Sequence, residues 1–327
     1  MTATAPLFKI RDLEVQYEVA NAAIKAVDRV AIEMGERDCV AIIGESGSGK
    51  STIASAILRV LPENGRITGG EIFFKGRPLL NLSEEEMRKL RGKDISVVFQ
   101  DPHSFLNPVL KIGDHLRETI KTHRPDIGRG KVAERALELL SLVKIPDPGS
   151  ILNRYPYQLS GGMAQRVAIA LGLSSDPALL IADEPTSALD LTIQAQVLKL
   201  LKGLIDLLHL SVLLITHDLS LVSNIAERVY VMYAGKIVEE DQVDNLYRDP
   251  RHPYTVMLLE AVKKLQGSDS SLRPASESGE GREGSLCAFL PRCPSRKPVC
   301  RERAPQYIEF PKGKKILCWN QEIGRQA

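Results

Sequence analysis

Over the first ~250 residues the sequence predicts an α/β fold, a mostly parallel sheet flanked by helices, with an N-terminal antiparallel β portion and a helical insertion. Three observations carry that reading. Short β-rich runs alternate with longer amphipathic ones; a glycine-rich turn joins an apolar run to a helical pattern around residues 44–50; and a stretch from about residue 101 to 157 is helical in pattern but punctuated by Pro102, Pro108, Pro125, Pro146 and Pro148. At 327 residues the chain is long enough for about two domains, on a prior of ~150 residues each.

Taken in order, the β-rich runs predict strands at Leu13–Tyr17, Cys39–Ile43, Glu71–Phe74, Ile95–Phe99, Leu179–Ala182, Val212–Thr216 and Arg228–Tyr233. Helices are expected over Lys50–Val60, Thr192–His209 and Leu219–Ala226, and in the insertion over Ile112–His123 and Lys131–Leu142. Ser83-Glu84-Glu85-Glu86 has the form of a capping box, opening a short helix that runs to Arg91. After Tyr247, a proline at the first turn opens a helix over Val256–Leu265. The stretch GSDSSLRPASESGEGREGS is poor in apolar residues and predicts a flexible linker. The expected organisation is a main domain over 1–250, a helix and linker over 251–285, and a small irregular module over 286–327.

Composition excludes several classes. Lys+Arg number 43 against Asp+Glu 41, a formal net charge of +2, which disfavours a nucleic-acid binder working through bulk charge. No run approaches the ~18 consecutive apolar residues of a spanning helix, and the start MTATAPLFKI lacks a secretory pattern, so a cytosolic protein is expected.

The chemistry is concentrated in a few motifs. Gly44-Glu45-Ser46-Gly47-Ser48-Gly49-Lys50-Ser51-Thr52 follows an expected strand and precedes an expected helix, the setting a phosphate-cradling P-loop requires. Gly44, Gly47 and Gly49 let backbone N–H groups turn toward phosphate oxygens, and the helix start adds positive dipole. Lys50 is then placed for the β and γ phosphates and the Ser51 hydroxyl for Mg²⁺. Leu179–Ala182 is an apolar strand that delivers Asp183 and Glu184 to its C-terminal end, where Asp183 would hold Mg²⁺ and Glu184 would act as base toward the attacking water. Ser160-Gly161-Gly162 opens a further helix and offers a second anion-binding helix start. The fifth cysteine, Cys39, reads as an inert buried thiol.

With Leu159-Ser160-Gly161-Gly162-Met163-Ala164-Gln165-Arg166 in place, the sequence resembles the ATP-binding-cassette ATPases over roughly residues 7 to 240. The resemblance implies a P-loop nucleotidase core using ATP and Mg²⁺. It assigns Tyr17 to stacking on adenine, Gln100 to Mg²⁺ or water sensing, and His217 to the γ-phosphate. Asp190 falls in the loop between paired cassettes. It also implies that one copy is incomplete: Ser160, Gly161, Gly162 and Gln165 of one cassette act in trans on nucleotide held by the P-loop of another.

FQDPHSFLNP, RYPYQLSGGMAQR, VMYAGKIVEE, RHPYT and a cysteine-bearing tail extend the resemblance to one of the two ATPase subunits of dipeptide/oligopeptide importers. That implies a related but different second ATPase, two permease subunits, an external substrate-binding protein and a place on the cytoplasmic face of the inner membrane. Nickel and glutathione importers belong to the same branch and remain alternatives. Soluble cassettes of DNA repair or translation carry long coiled-coil insertions or two cassettes in one chain, and this sequence has neither.

Four of the five cysteines, Cys287, Cys293, Cys300 and Cys318, lie in the tail, with spacing unlike a zinc finger or a ferredoxin run. A [4Fe–4S] cluster, a structural Zn²⁺ and unligated thiols are the competing readings. Wider loops suit a cluster, and some importer ATPases that the tail resembles carry one. From Arg282 to Lys315 there are nine basic and three acidic residues, an excess expected to lower the thiol pKa values. So short a module is also expected to need a staple.

Overall fold

The computed structural model describes residues 5–20, 22–128, 130–187, 189–265 and 286–320. The expected linker lies outside the described residues. The chain divides into two compact units, one built mainly from residues 74–215 and the other from 9–33, 40–73 and the described residues beyond 215.

The first unit is centred on parallel strands Ile95–Val98, Leu179–Asp183 and Ser211–Thr216, with Ile95 opposite Leu179 and Leu179 opposite Ser211. Leu179–Ala182 and Val212–Ile215 are fully buried along their length, as strands covered on both faces must be. The cover comes from the insertion and the helices after it. Ile112–His123 buries Ile112, Leu116 and Ile120, while Lys131–Leu142 buries Val132, Ala136, Leu139 and Leu140. These stripes at helical spacing pack the two helices on each other and on the helix Gly161–Gly172. Arg166 of that last helix donates to the Val143 carbonyl at 3.1 Å, satisfying an acceptor that the end of Lys131–Leu142 would leave open. The expected capping box forms: Ser83 Oγ accepts from the Glu86 N–H, and the Glu86 carboxylate from the Ser83 N–H.

In the second unit, Phe8–Val19 and Ala22–Met34 are neighbours joined by a connection so short that they must run antiparallel, with Gly65–Phe74 on the other side of Phe8–Val19. Ala22–Met34 escaped the strand reading because Arg29, at φ 52°, breaks its alternation; Val30, Ile32 and Met34 resume it. Cys39–Ile43 pairs in parallel with Arg228–Tyr233, and Lys236–Gln242 adds antiparallel to the latter. The expected mostly parallel sheet is thus mixed. Leu219–Ala226 is helical only over Leu219–Val222, whereas Pro253–Leu265 begins a turn before Val256, at the proline itself.

The tail does not stand alone. Lys315–Leu317 continues the sheet, with Ile316 opposite Glu239, and Tyr307–Glu309 pairs with it in turn. Lys314 is almost buried, with Nζ 3.4 Å from Glu239 and 3.0 Å from Asp241, two carboxylates with no solvent exposure. Added strands and a buried ion cluster therefore anchor a segment too short for its own core.

Candidate functional site

The strand Cys39–Ile43 is buried from end to end and delivers the P-loop at its C-terminal edge, as open α/β sheets deliver ligand-binding loops. Cys39 is fully buried. Two glycines explain the path of the loop. A Cβ on Gly44 would stand 2.2 Å from the Met232 carbonyl oxygen, and one on Gly49, at φ 103°, would stand 2.2 Å from that of Ala26. Gly49 is the N-cap of the helix Lys50–Leu58, so the N–H groups of its first turn open onto the loop.

Lys50 is buried, and its Nζ donates to the carbonyls of Gly44 at 2.8 Å and Glu45 at 2.9 Å. Ser46 and Gly47 are exposed at the crest. Ser48 is buried, its hydroxyl without a hydrogen-bond partner among the described residues, an orphan polar atom inside a cradle of N–H groups. Together with the glycines, this orphan fits an anionic ligand. Ser51 is exposed at the helix start, and Thr52 Oγ1 lies 3.3 Å from the Tyr17 hydroxyl, whose ring rests against Gly65. His217 is exposed after the strand Ser211–Thr216; the Asp218 N–H donates to Thr216 Oγ1 at 3.0 Å and fixes the turn beneath it.

Asp183 ends its strand half-buried, and Glu184 follows at φ 46°, a left-handed conformation uncommon outside glycine. The Glu184 N–H donates to the Ile215 carbonyl at 2.8 Å, and its carbonyl accepts from the Ser187 N–H at 3.3 Å and the Ser187 hydroxyl at 3.2 Å. The acid is thus held by its backbone. Gln100 is exposed after Ile95–Val98, and Asp190 caps the helix Leu191–Leu208, accepting from the Ile193 N–H at 3.0 Å.

Ser160 caps the helix Gly161–Gly172, accepting from the Met163 N–H at 3.4 Å. A Cβ on Gly162 would stand 2.6 Å from Ile193 Cγ2, so this glycine is required by helix packing as well as offered for binding. Gln165, expected to act in trans, is 1% exposed in this single chain.

Sequence reasoning missed the residues that surround Glu45. The Arg292 guanidinium grips its carboxylate with both arms, at 2.7 and 2.8 Å, and the Tyr254 hydroxyl accepts the Glu45 N–H at 2.8 Å. Arg292 lies over Tyr233 and Phe289, 5.8 and 5.9 Å from the ring centroids. The carboxylate raises the guanidinium pKa above its already high ordinary value. Arg292 follows Glu45 by 247 residues, and no local pattern could have paired them.

The four tail cysteines line one small pocket with His252, Phe289 and Trp319. The expected lowering of thiol pKa values is overturned at Cys287, Cys293 and Cys318. Burial pushes the thiols of Cys287 and Cys293 up, and that of Cys318 up to about 11, because desolvation outweighs the surrounding basic charge. Burial alone holds His252 down to about 3, hence neutral. Among the described residues no group of three or more His, Cys, Asp or Glu side chains is arranged to hold a metal ion, so the expected metal-binding module is not shown.

Comparison with known proteins agrees with both ends of the chain. The family described as ABC transporter matches residues 27–187, and that described as oligopeptide/dipeptide transporter, C-terminal region, matches residues 238–300. The dipeptide transport ATP-binding protein DppD of Bacillus subtilis is 41% identical over 323 residues, 97% of this chain and 95% of DppD. The oligopeptide transport ATP-binding protein OppD of the same organism is 45% identical over 269 residues, 82% of this chain and 75% of OppD. Among solved structures, a dimeric ATP-binding cassette in a post-hydrolysis state bound to ADP and Pi matches with TM-score 0.65 and 30% identity, covering 72% of this chain and 98% of that one. The shared fold is the cassette's P-loop α/β core with a mixed sheet.

Proposed function

Because the chain belongs to the ABC transporter family of ATP-binding proteins, we propose that it is the ATP-hydrolysing subunit that powers import of dipeptides or oligopeptides through a separate membrane permease. The observation that carries this reading is the joint match of a nucleotide-binding core and an oligopeptide/dipeptide transporter C-terminal region in one chain, spanned almost end to end by peptide-transport relatives. No helix among the described residues is long and apolar enough to cross a membrane, in keeping with a permease on other chains. The partners proposed are a related second cassette, two permease subunits and, indirectly, an external substrate-binding protein, with this chain on the cytoplasmic face of the inner membrane.

In the proposed mechanism the P-loop N–H groups bind the phosphates and Lys50 turns its ammonium from the loop carbonyls to the β and γ oxygens. Ser51, Asp183 and Gln100 would hold Mg²⁺, which when bound neutralises phosphate charge. Tyr17 stacks on the adenine. Glu184 takes the proton of the water that attacks the γ-phosphorus, the bond to the β–γ bridging oxygen breaks, and His217 donates to the γ-phosphoryl oxygens. Ser160, Gly161 and Gly162 of the partner cassette close the site from the opposite side, with Asp190 in the loop between them. Closure is favoured by ATP and lost after hydrolysis, so binding free energy drives the permease. Glu184→Gln is expected to retain ATP binding while hydrolysis falls by about 10²-fold or more. Unchanged turnover in that variant would remove Glu184 from the role of base.

We further infer that Cys287, Cys293, Cys300 and Cys318 hold a [4Fe–4S] cluster. Four thiols lining one small, largely apolar pocket support it. Protein purified anaerobically is expected to carry about four Fe and four acid-labile sulfide per chain. One zinc without sulfide, or metal-free protein, would contradict it.

A further inference from the structure

Glu45 is the joint between the P-loop and the C-terminal segment, and all three of its polar groups are committed. Its carbonyl accepts from Lys50, its N–H donates to the Tyr254 hydroxyl, and its carboxylate is held by both arms of Arg292. Two of these three partners come from beyond residue 250. Tyr254 is fully buried and fixed among rings, 4.6 Å from Tyr233 and 5.6 Å from Phe289 between centroids. Phe289 in turn lies 5.2 Å from Tyr233 and lines the cysteine pocket, as does Cys293, the residue after Arg292. The grip on Glu45 is thus part of a packed aromatic cluster rather than a lone surface ion pair.

The charge at this joint matters because of where it stands. A carboxylate one residue into a phosphate-binding loop repels the polyanion that the loop collects, unless a cation neutralises it and keeps it turned away. Only a planar fork can do both at once, since two parallel hydrogen bonds fix orientation as well as charge.

We propose that Arg292 is a positioning residue for the nucleotide site: by neutralising and orienting Glu45 it sets the P-loop's affinity for nucleotide and makes that affinity depend on the C-terminal segment. The inference rests on the ATP-binding reading above. It gives the C-terminal segment a task at the nucleotide, independent of any metal it holds.

The test is titration of the full-length chain with Mg-ATP by calorimetry, alongside steady-state hydrolysis. Arg292→Ala is expected to raise Kd and KM at least about fivefold, with kcat within about twofold of the parent, a split that loss of fold would not give. Arg292→Lys, which keeps the charge and loses the fork, should fall between. In the double variant Arg292→Ala/Glu45→Gln the repelling charge is gone, and Kd should return to within about twofold of the parent. An unchanged Kd in Arg292→Ala would overturn the proposal. A double variant as weak as Arg292→Ala would also overturn it, because Arg292 would then act only by holding the tail in place. A parent chain that binds no nucleotide would bring down the ATP-binding reading itself, an outcome distinct from either.

Discussion

Glu184 and Gly162 show how much of the site one side chain can decide. Glu184 stands in a left-handed conformation at the end of a buried strand, a strained placement tolerated because the Ile215 carbonyl and Ser187 hold its backbone. Gly162 has a packing duty beside the binding role proposed for it. Gly162→Ala would drive a methyl group to 2.6 Å from Ile193 Cγ2 and is expected to destabilise the isolated chain by about 1 to 3 kcal/mol in chemical denaturation. The paired change Gly162→Ala/Ile193→Ala should recover most of that loss. No stability change in Gly162→Ala would mean that the two helices separate without cost. The P-loop, Asp183, Glu184 and the Ser160–Gly162 turn were legible in the sequence because each is a short run whose spacing reflects its chemistry. The burial of Gln165 and the grip of Arg292 on Glu45 were not. The first depends on which helix face meets the core, and the second joins residues 247 apart.

Among the elements, strands with a continuous apolar run were readable to within a residue or so, as for Cys39–Ile43 and Leu179–Asp183. Ala22–Met34 was not, because its alternation breaks at Arg29. Nor were the strands Tyr307–Glu309 and Lys315–Leu317, three residues each, which exist only because Lys236–Gln242 offers an edge. Their anchor makes a sharp prediction. Lys314→Met leaves Glu239 and Asp241 buried without their cation and is expected to cost about 3 to 5 kcal/mol at neutral pH. Burial already raises the pKa of Glu239, so in the variant the folded state takes up a proton more readily than the unfolded chain as pH falls. The deficit should therefore shrink from pH 8 to pH 5, measured by urea denaturation against the parent. A deficit that grew on acidification would show that Glu239 is not the group left uncompensated.

For the whole molecule, the assignment unites two features that separately say less. A cassette core implies ATP hydrolysis in a pair, and the C-terminal region implies a peptide importer; one chain carries both. The structure adds that the C-terminal segment reaches the P-loop through Arg292 and Tyr254, so the part of the chain matched to peptide transporters touches the loop proposed to bind nucleotide. The measurement closest to the central claim is uptake of a labelled dipeptide into proteoliposomes holding the complex that co-purifies with this chain, with the ATPase side facing the added ATP. Uptake dependent on ATP and abolished by Lys50→Ala is the predicted result. ATP hydrolysis without peptide uptake, or uptake that survives Lys50→Ala, would contradict it.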